Sequence, residues 1–296
     1  NEILINKKEH FDKINSLIDD GYFIKAAEYI TNFFLQSNGE IDHYHLAGKL
    51  YRNFGKKTEA IKIYKNCLLF YPDDKISKVA LASLGVGKVP SRLPDEVVKK
   101  IFDENANYYE ESMITLGYNS HRKISSVILN ELNVRNNDLT VLDLGCGSGF
   151  LGELLVKDNV TLHGLDISQN MIELARKKKC YDMLFCAEIT KFLRSGGNSY
   201  DIIAASNTII YFGDLEELFA CLVSILNKGG TFVFDYESFN GSTYEFHVGG
   251  RYSHSSKYVI DALEYNGFIV QSNEEFVMRK EKNINVRANL ILAKLQ

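Results

Sequence analysis

A glycine-rich turn follows an apolar strand near the middle of the chain, in residues 141–149 (VLDLGCGSG). Glycine adopts backbone angles that side chains forbid and lets a ligand lie against the main chain. Residues 150–157 then predict a helix whose N-terminal amides face whatever lies over the turn. A second predicted strand, residues 161–166, ends in Asp166. Two parallel strands, this acid and the turn predict a nucleoside pocket. Glycine stands at every second position of the turn: Gly145, Gly147 and Gly149.

A dinucleotide site is the alternative, because residues 147–152 (GSGFLG) spell the six-residue dinucleotide fingerprint. In that fingerprint the strand stops immediately before the first glycine. Here the apolar strand stops at Leu144, so the glycine in register is Gly145 and the sixth position is Phe150. A carboxylate at Asp143 beneath the turn also suits a ligand ammonium and repels a pyrophosphate. The dinucleotide interpretation therefore fails.

Together with Asp166, residues 141–149 resemble the glycine-rich motif of class I S-adenosylmethionine-dependent methyltransferases. The resemblance implies that the three glycines of the turn pack on the methionine part of the cofactor. It implies that Asp166 accepts both ribose hydroxyls, since one carboxylate can accept two hydrogen bonds. Glu188 is expected to meet the adenine amino group, with a solvated loop acid as the alternative. The other expected cofactor contacts are Asp143, Ile167, Met171, Ile189, Ser206 and Asn207.

The rest of the C-terminal two thirds predicts a Rossmann-like, doubly wound, seven-stranded methyltransferase sheet. Ser168 is expected to cap a helix. Strands and helices alternate after it, and the last two strands are expected to close the sheet as an antiparallel pair. The predicted elements are a strand at 183–187, a strand at 201–206 buried on both faces, a helix at 215–226, a tight turn at 228–230, a strand at 231–235, a helix at 255–266, and strands at 268–270 and 285–294.

The N-terminal part is predicted to be all-α, with the spacing of a tetratricopeptide repeat. Two repeats and a capping helix over 74–84 fall short of the three repeats usually needed for stability alone. We therefore expect the array to lean on the catalytic domain or on another copy, serving either as a docking surface or as a scaffold. The repeat positions are Leu17, Gly21, Ala26, Ile30 and Phe33, then Tyr44, Ala47, Gly48, Tyr51, Ala60, Tyr64, Cys67 and Pro72.

Two of the three prolines of the chain stand close together, at Pro90 and Pro94, which predicts a linker at 87–94. It separates a repeat domain, residues 1–86, from a methyltransferase domain, residues 95–296, that begins with lid helices over 95–135. Asp95 is expected to cap the first of these helices.

Three further segments resemble bacterial predicted methyltransferases that contain tetratricopeptide repeats: 102–112 (FDENANYYEES), 116–121 (LGYNSH) and 251–268 (RYSHSSKYVIDALEYNGF). The resemblance implies a lid in which Tyr109, and Tyr108 beside it, cover the sulfonium end of the cofactor. Core packing is the alternative for each tyrosine. Asn207 stands where an acidic residue is expected in relatives, which weakens an acid–base role there.

Methyl transfer from a sulfonium needs mainly alignment and exclusion of water. A hydroxyl or ammonium acceptor must also lose a proton, whereas a thiolate or carboxylate need not. His254 and Tyr211 are the expected catalytic residues; for His254 a structural hydrogen bond is the alternative, and for Tyr211 a place in the pocket wall. His247 and Arg251 are expected in substrate binding. The alternative for His247 is again a structural hydrogen bond, and for Arg251 it is a pair with a local acid.

The net charge and the cysteine content limit the classes of partner and the cellular location that we expect. The net charge of −4 shows no basic excess, so no nucleic-acid partner is expected. Five cysteines without paired spacing predict a reducing, cytoplasmic location, and the lack of an apolar run near 18 residues predicts no membrane insertion. The chain opens on Asn1 rather than methionine, so targeting residues are not judged.

The sequence thus predicts a cytoplasmic S-adenosylmethionine-dependent methyltransferase. Its acceptor atom is expected to be oxygen or nitrogen, on an unidentified small molecule, glycan or protein. A protein partner is expected through the repeats. Three alternatives stay open: an enzyme that docks a protein substrate by its repeats, an enzyme whose repeats only brace the lid, and a non-catalytic scaffold that retains the fold.

Overall fold

A computed structural model describes residues 2–35, 39–135, 138–157 and 159–296. The chain divides into two compact units. The first comprises residues 1–90 with Val248–Gly250, and the second comprises Ser91–His247 with Arg251–Gln296. The division after Pro90 falls inside the segment expected to be a linker.

The first unit contains helices joined by turns and loops, with no strand among its described residues. Each helix packs on the next, and small buried residues allow the close approach: Ala26, Ala47 and Ala60 are fully buried. At Gly48 a Cβ atom would lie 2.5 Å from the ring of Tyr64, so this ring occupies the space that a side chain would need. The tetratricopeptide assignment itself stays a prediction. The helices are α1 (Glu2–Asp19), α2 (Phe23–Phe33), α3 (Ile41–Asn53), α4 (Lys57–Phe70) and α5 (Lys75–Ser83).

The second unit alternates helices and strands around one mixed sheet, as the sequence predicts. In its described residues the helices are α6 (Asp95–Asn105), α7 (Tyr109–Thr115), α8 (Ser120–Arg135), α9 (Phe150–Leu155), α10 (Gln169–Lys178), α11 (Ile189–Ser195), α12 (Glu216–Val223) and α13 (Ser256–Tyr265). The strands are β1 (Leu139–Leu144), β2 (Val160–Asp166), β3 (Met183–Cys186), β4 (Tyr200–Ala205), β5 (Leu226–Ser238), β6 (Tyr244–Phe246), β7 (Tyr252–His254), β8 (Phe268–Glu281) and β9 (Ile284–Leu295).

The sheet has nine strands in the described part of the chain, where the sequence predicts seven. β3, β2, β1, β4 and β5 lie side by side and parallel. β9 lies antiparallel beside β5, and β8 pairs antiparallel with β9. The two extra strands, β6 and β7, lie between β5 and the helix expected at 255–266, where the sequence predicts no strand. β5 continues to Ser238, beyond its last pair with β4 at Ala205 and Phe234. This free edge pairs with β7, and β6 pairs with β7 in turn.

Of four smaller expectations, three differ from the structure and one is confirmed. The tight turn at 228–230 lies within β5, where the pairing with β4 shifts register. The helix expected at 215–226 is shorter, since β5 already begins at Leu226. Asp95 does not cap α6: the capping position is Pro94, and Asp95 forms ion pairs instead. The predicted cap at Ser168 is confirmed, because its side chain accepts a hydrogen bond from the Met171 amide.

The core lies on both faces of the sheet. Alternate residues of β4 point to opposite sides: Ile203 and Ala205 join one cluster, and Ile202 and Ala204 join the other. All four are fully buried, which confirms the predicted strand that is covered on both faces. α8 contributes buried side chains to the second cluster, so it is a core helix rather than part of a lid. Because β3, β2, β1, β4 and β5 are parallel, their carboxyl ends all lie at one edge of the sheet.

No helix among the described residues has the length and apolarity to cross a membrane.

Candidate functional site

The glycine-rich turn begins directly after β1, as the register argument predicts. Its three glycines have positive φ angles of 68°, 54° and 94°, which side chains rarely adopt. At Gly145 a Cβ atom would also lie 2.4 Å from Oγ1 of Thr208. That hydroxyl donates to the carbonyl of Leu144 at 2.9 Å. The turn is therefore fitted closely against the residues that follow β4.

Asp166 joins the turn to the end of β2. Its Oδ2 accepts from the amide of Gly147 at 2.9 Å, and its Oδ1 accepts from the amide of Ser168 at 2.8 Å. Burial raises the pKa of Asp166 to about 6, against the opposing effect of these backbone bonds. A carboxylate oxygen has more than one lone pair, so both oxygens can accept further bonds on the side that faces the cavity.

A cleft of about 650 Å³ opens at the carboxyl ends of the parallel strands. This place is typical of ligand sites in open α/β sheets. Of the residues that the sequence assigns to cofactor, catalysis or substrate, ten line it: Tyr109, Gly145, Gly147, Asp166, Ile167, Glu188, Ile189, Ser206, Asn207 and Tyr211. The described lining set does not include Asp143, Gly149, Met171, His247, Arg251 or His254.

Asp143 faces the core instead. Its Oδ2 accepts a 2.7 Å hydrogen bond from the hydroxyl of Tyr181, and burial raises the pKa of this carboxyl to about 7. The ring of Tyr181 fills space that two glycines leave open, because a Cβ atom would lie 2.5 Å from it at Gly152 and 3.0 Å at Gly164. Tyr181 was not predicted. The signal was the pair of glycines inside a helix and a strand.

Glu188 lies at the start of α11 and is a buried carboxylate held by the protein rather than a solvated loop acid. It accepts from the amides of Thr190 and Lys191 and pairs with Arg92 at 2.7 Å. Burial alone would raise the pKa of Glu188, but the bonds from Thr190 and Lys191 hold it below its usual value. Arg92, which also lines the cleft, was not predicted. Its position in a linker gave no sign of a site.

An aromatic wall, formed by Phe102, Tyr109 and Tyr211, covers one side of the cleft. Phe102 meets Tyr109 and Tyr211 edge-on, with interplanar angles of 68° and 83°. The hydroxyl of Tyr109 would lie 3.9 Å from a Cβ atom at Gly147, so its ring stands over the turn. Tyr108 is 68% exposed and does not line the cleft.

Three residues expected at the substrate end make structural contacts outside the cleft. His254 is fully buried, and its Nε2 lies 3.1 Å from the carbonyl oxygen of Gly213. Burial lowers the pKa of His254 to about 4, so the ring is neutral. His247 bonds Ser253 at 2.7 Å. These hydrogen bonds agree with the structural alternative for each histidine.

Arg251 pairs with two acids, Glu237 at 3.1 Å and Glu281 at 2.7 Å. The structure therefore agrees with the alternative in which Arg251 pairs with acids of the protein. Both acids lie far from Arg251 in the chain or on another strand, which is why the pairing could not be chosen from sequence.

Comparisons with known proteins agree with this geometry. Residues 135–276 match a family model described as a methyltransferase domain. A malonyl-[acyl-carrier protein] O-methyltransferase of Priestia megaterium is 30% identical over 55% of this chain and 58% of its own length. A ubiquinone biosynthesis O-methyltransferase of Coxiella burnetii is 24% identical over 42% of this chain and 52% of its own. The chain thus spans a little over half the length of these curated relatives.

Among solved structures, a magnesium protoporphyrin IX methyltransferase of Synechocystis is similar in fold, with a TM-score of 0.54 and 16% identity. The similarity covers 69% of this chain and all of that one. That enzyme was solved with S-adenosylhomocysteine and with S-adenosylmethionine bound. Residues 135–276 of the present chain are therefore similar to methyltransferase domains, and the second unit has the fold of an enzyme solved with S-adenosylmethionine bound.

Proposed function

We propose that the protein transfers a methyl group from S-adenosylmethionine to an oxygen atom of an acceptor molecule. The observation that carries the proposal is that the glycine turn, Asp166 and the aromatic wall line one cleft. The names of the two curated relatives support oxygen, since both are O-methyltransferases. They favour it over nitrogen, the other atom that the sequence leaves open.

The residues of the cleft fit this cofactor. The turn offers main chain without side chains, because Gly145 and Gly147 both line the cleft. Asp166 offers two carboxylate oxygens at the end of β2, in the place that the resemblance gives to the ribose hydroxyls. Ile167 and Ile189 supply apolar surface for the adenine, and Glu188 an acceptor for its amino group. When bound, the cofactor supplies a methyl group that is already activated.

The aromatic wall then excludes water from the reacting atoms. Tyr109 stands over the glycine turn and Phe102 supports it edge-on. Alignment and water exclusion are the main requirements of displacement at a sulfonium methyl. The non-catalytic scaffold is less well supported, because a scaffold has no need of a cleft that combines an acid, a glycine turn and an aromatic cover.

We infer a protein-docking role for the N-terminal helices, as a tetratricopeptide-like array. Their support is the stacked arrangement of α1 to α5 and the small residues at the close contacts. If the array docks the acceptor or its carrier, removing residues 1–90 raises the KM for that acceptor. If the helices only brace the lid and dock nothing, the KM for the acceptor is unchanged once the shortened chain is shown to be folded, and full turnover would make the docking role wrong.

Calorimetry with S-adenosylhomocysteine tests the cofactor assignment. The wild-type chain should bind it, and Asp166→Ala should weaken binding by about 1–3 kcal/mol, because hydrogen bonds to a buried carboxylate are lost. Asp182→Ala is the matched control: Asp182 also accepts a backbone bond at a strand of the same sheet, from the Leu162 amide, but lies outside the cleft lining. Absence of binding heat for the wild-type chain would favour the scaffold.

A further inference from the structure

The cleft contains few groups that could take a proton from an acceptor. None of its described lining residues is a histidine, a lysine or a cysteine. The carboxylates in this lining set are Asp95, Asp166 and Glu188, and each already accepts bonds from the protein. Asp166 and Glu188 also lie where the ribose and adenine are proposed to bind. The cleft therefore offers little general-base help to an acceptor that must lose a proton.

Two phenol hydroxyls of the aromatic wall are available to bind a ligand. In the part of the chain that the structure describes, the hydroxyls of Tyr109 and Tyr211 have no hydrogen-bond partner, although both side chains line the cleft. Burial raises the pKa of Tyr211 to about 12 and that of Tyr109 further. Both phenols are therefore neutral near pH 7, which makes them hydrogen-bond donors rather than bases.

Asn207 adds a third donor. It follows β4 with a φ angle of 55°, a conformation that is uncommon for residues other than glycine. Its amide NH donates to Oδ1 of Asp235 at 2.6 Å, and its side-chain Oδ1 accepts from Arg279 at 3.2 Å. Because the guanidinium can only donate, the oxygen of the Asn207 amide must face it. The NH₂ group is then the free end of this lining side chain.

Arg279 itself is fixed. Its side chain is 3% exposed and pairs with Glu237 and Glu281. A buried guanidinium held by two carboxylates has little freedom to move. The ion pairs of Arg279 with Glu237 on β5 and Glu281 on β8 therefore fix the orientation of the Asn207 side-chain amide without a ligand.

We propose that the methyl acceptor is a carboxylate, bound by the hydroxyls of Tyr109 and Tyr211 and by the side-chain amide of Asn207. The inference rests on the methyl transfer proposed above and names the class of its substrate. A carboxylate is ionised near pH 7 and needs no base. It also has two oxygens, so the three donors can hold one while the other reacts.

The reaction balances without proton transfer. A lone pair of the free carboxylate oxygen forms the new bond to the methyl carbon. The carbon–sulfur bond breaks as its electron pair passes to sulfur, which leaves a methyl ester and neutral S-adenosylhomocysteine. A hydroxyl acceptor would instead have to release a proton, and the lining residues offer no unoccupied base for it.

The bond that forms can be identified without knowing the acceptor. The protein is incubated with methyl-tritiated S-adenosylmethionine and a heat-treated bacterial extract that still contains its small molecules, glycans and proteins. The products are then held at about pH 11. Methyl esters hydrolyse and release volatile labelled methanol, whereas methyl ethers and methylamines keep the label. Release as methanol is the expected result, and label that stays in non-volatile product overturns the carboxylate proposal while leaving methyl transfer intact. Absence of transferred label would overturn the proposed function and this inference together.

Variants test the donors. Tyr109→Phe and Tyr211→Phe should each lower ester formation by about tenfold or more, since each removes a hydrogen bond to a charged group. Their affinity for S-adenosylhomocysteine, measured by calorimetry, should stay within about twofold of the wild type. Tyr108→Phe is the matched control, because Tyr108 is exposed beside Tyr109; it should change neither value. Full ester formation in the double variant Tyr109→Phe/Tyr211→Phe would rule out the phenols as carboxylate donors.

The pH profile separates donors from bases. Above the raised pKa values of Asp166 and Asp143, about 6 and 7, an ionised acceptor and neutral phenols should give a rate of ester formation that is flat from about pH 8 to pH 9.5. A rate that rises with pH over that range would show a group losing a proton and would contradict the proposal.

Discussion

At the scale of single residues, Asp143 carries an energetic cost. One of its oxygens bonds Tyr181, and the other, Oδ1, is buried and has no partner among the residues that the structure describes. Burial raises its pKa from 3.8 to about 7, so the folded chain holds the protonated form more tightly than the unfolded chain does. The stability that this provides is complete below the unfolded pKa and is lost as pH rises through about 7.

We therefore expect the free energy of unfolding of the wild-type chain to fall by about 2–3 kcal/mol between pH 5 and pH 8 on account of Asp143. Asp143→Asn should remove this part, since an uncharged amide can still accept from Tyr181. Asp166 and Asp235 have pKa values raised to about 6. In Asp143→Asn they should therefore still lower the free energy of unfolding as the pH rises, each by less than Asp143 does. Urea denaturation at both pH values measures the difference. An unchanged pH dependence in the variant would show that the Asp143 carboxyl titrates normally.

The sequence predicted the residues whose role is set by neighbours in the chain. Gly145, Gly147 and Asp166 sit at fixed spacings around two strands, so their place in the cleft could be foreseen. His254 and Arg251 could not be placed, because their partners, Gly213 and Glu281, are distant in sequence. Tyr181 and Arg92 were missed for the same reason.

At the scale of elements, the turn after β1 depends on a close contact with the end of β4. Gly145→Ala places a Cβ atom 2.4 Å from Oγ1 of Thr208, at a φ angle of 68°. Gly229→Ala has a similar φ angle of 73° but no atom within 4 Å of the added Cβ. We expect Gly229→Ala to cost about 1 kcal/mol of stability from backbone strain.

Gly145→Ala should cost clearly more, about 2–4 kcal/mol, and should also weaken S-adenosylhomocysteine binding. Adding Thr208→Ala to Gly145→Ala should restore part of the stability, because it removes the opposing hydroxyl. Thermal denaturation of the three variants measures this order. Equal losses for Gly145→Ala and Gly229→Ala would mean that strain alone, and not the contact, constrains the turn.

Most elements of the sheet were foreseen because buried parallel strands form long apolar runs. β6 and β7 were not, since each has only three residues and no alternating pattern. They form because β5 extends beyond the end of β4 and leaves an unpaired edge there. That edge depends on the relative lengths of two strands, so it cannot be read from either strand alone. The same limit applies to α8, whose amphipathic face was expected to cover the cleft but packs on the sheet.

At the scale of the whole molecule, every described residue that lines the cleft lies between Arg92 and Phe212. A chain reduced to residues 91–296 should therefore bind S-adenosylhomocysteine with a dissociation constant within about twofold of the full chain. Circular dichroism establishes that the shortened chain is folded, and calorimetry gives the affinity. Lost binding by a folded chain would mean that the N-terminal helices complete the cofactor site.

Tyr181 occupies the hollow left by two glycines, one on α9 and one on β2, while its hydroxyl satisfies Asp143. These four positions form one unit that evolution can change only jointly. Across homologous chains, a bulkier residue at position 152 or 164 should accompany a smaller one at 181. Where the phenol disappears, the acid at 143 should give way to an uncharged side chain.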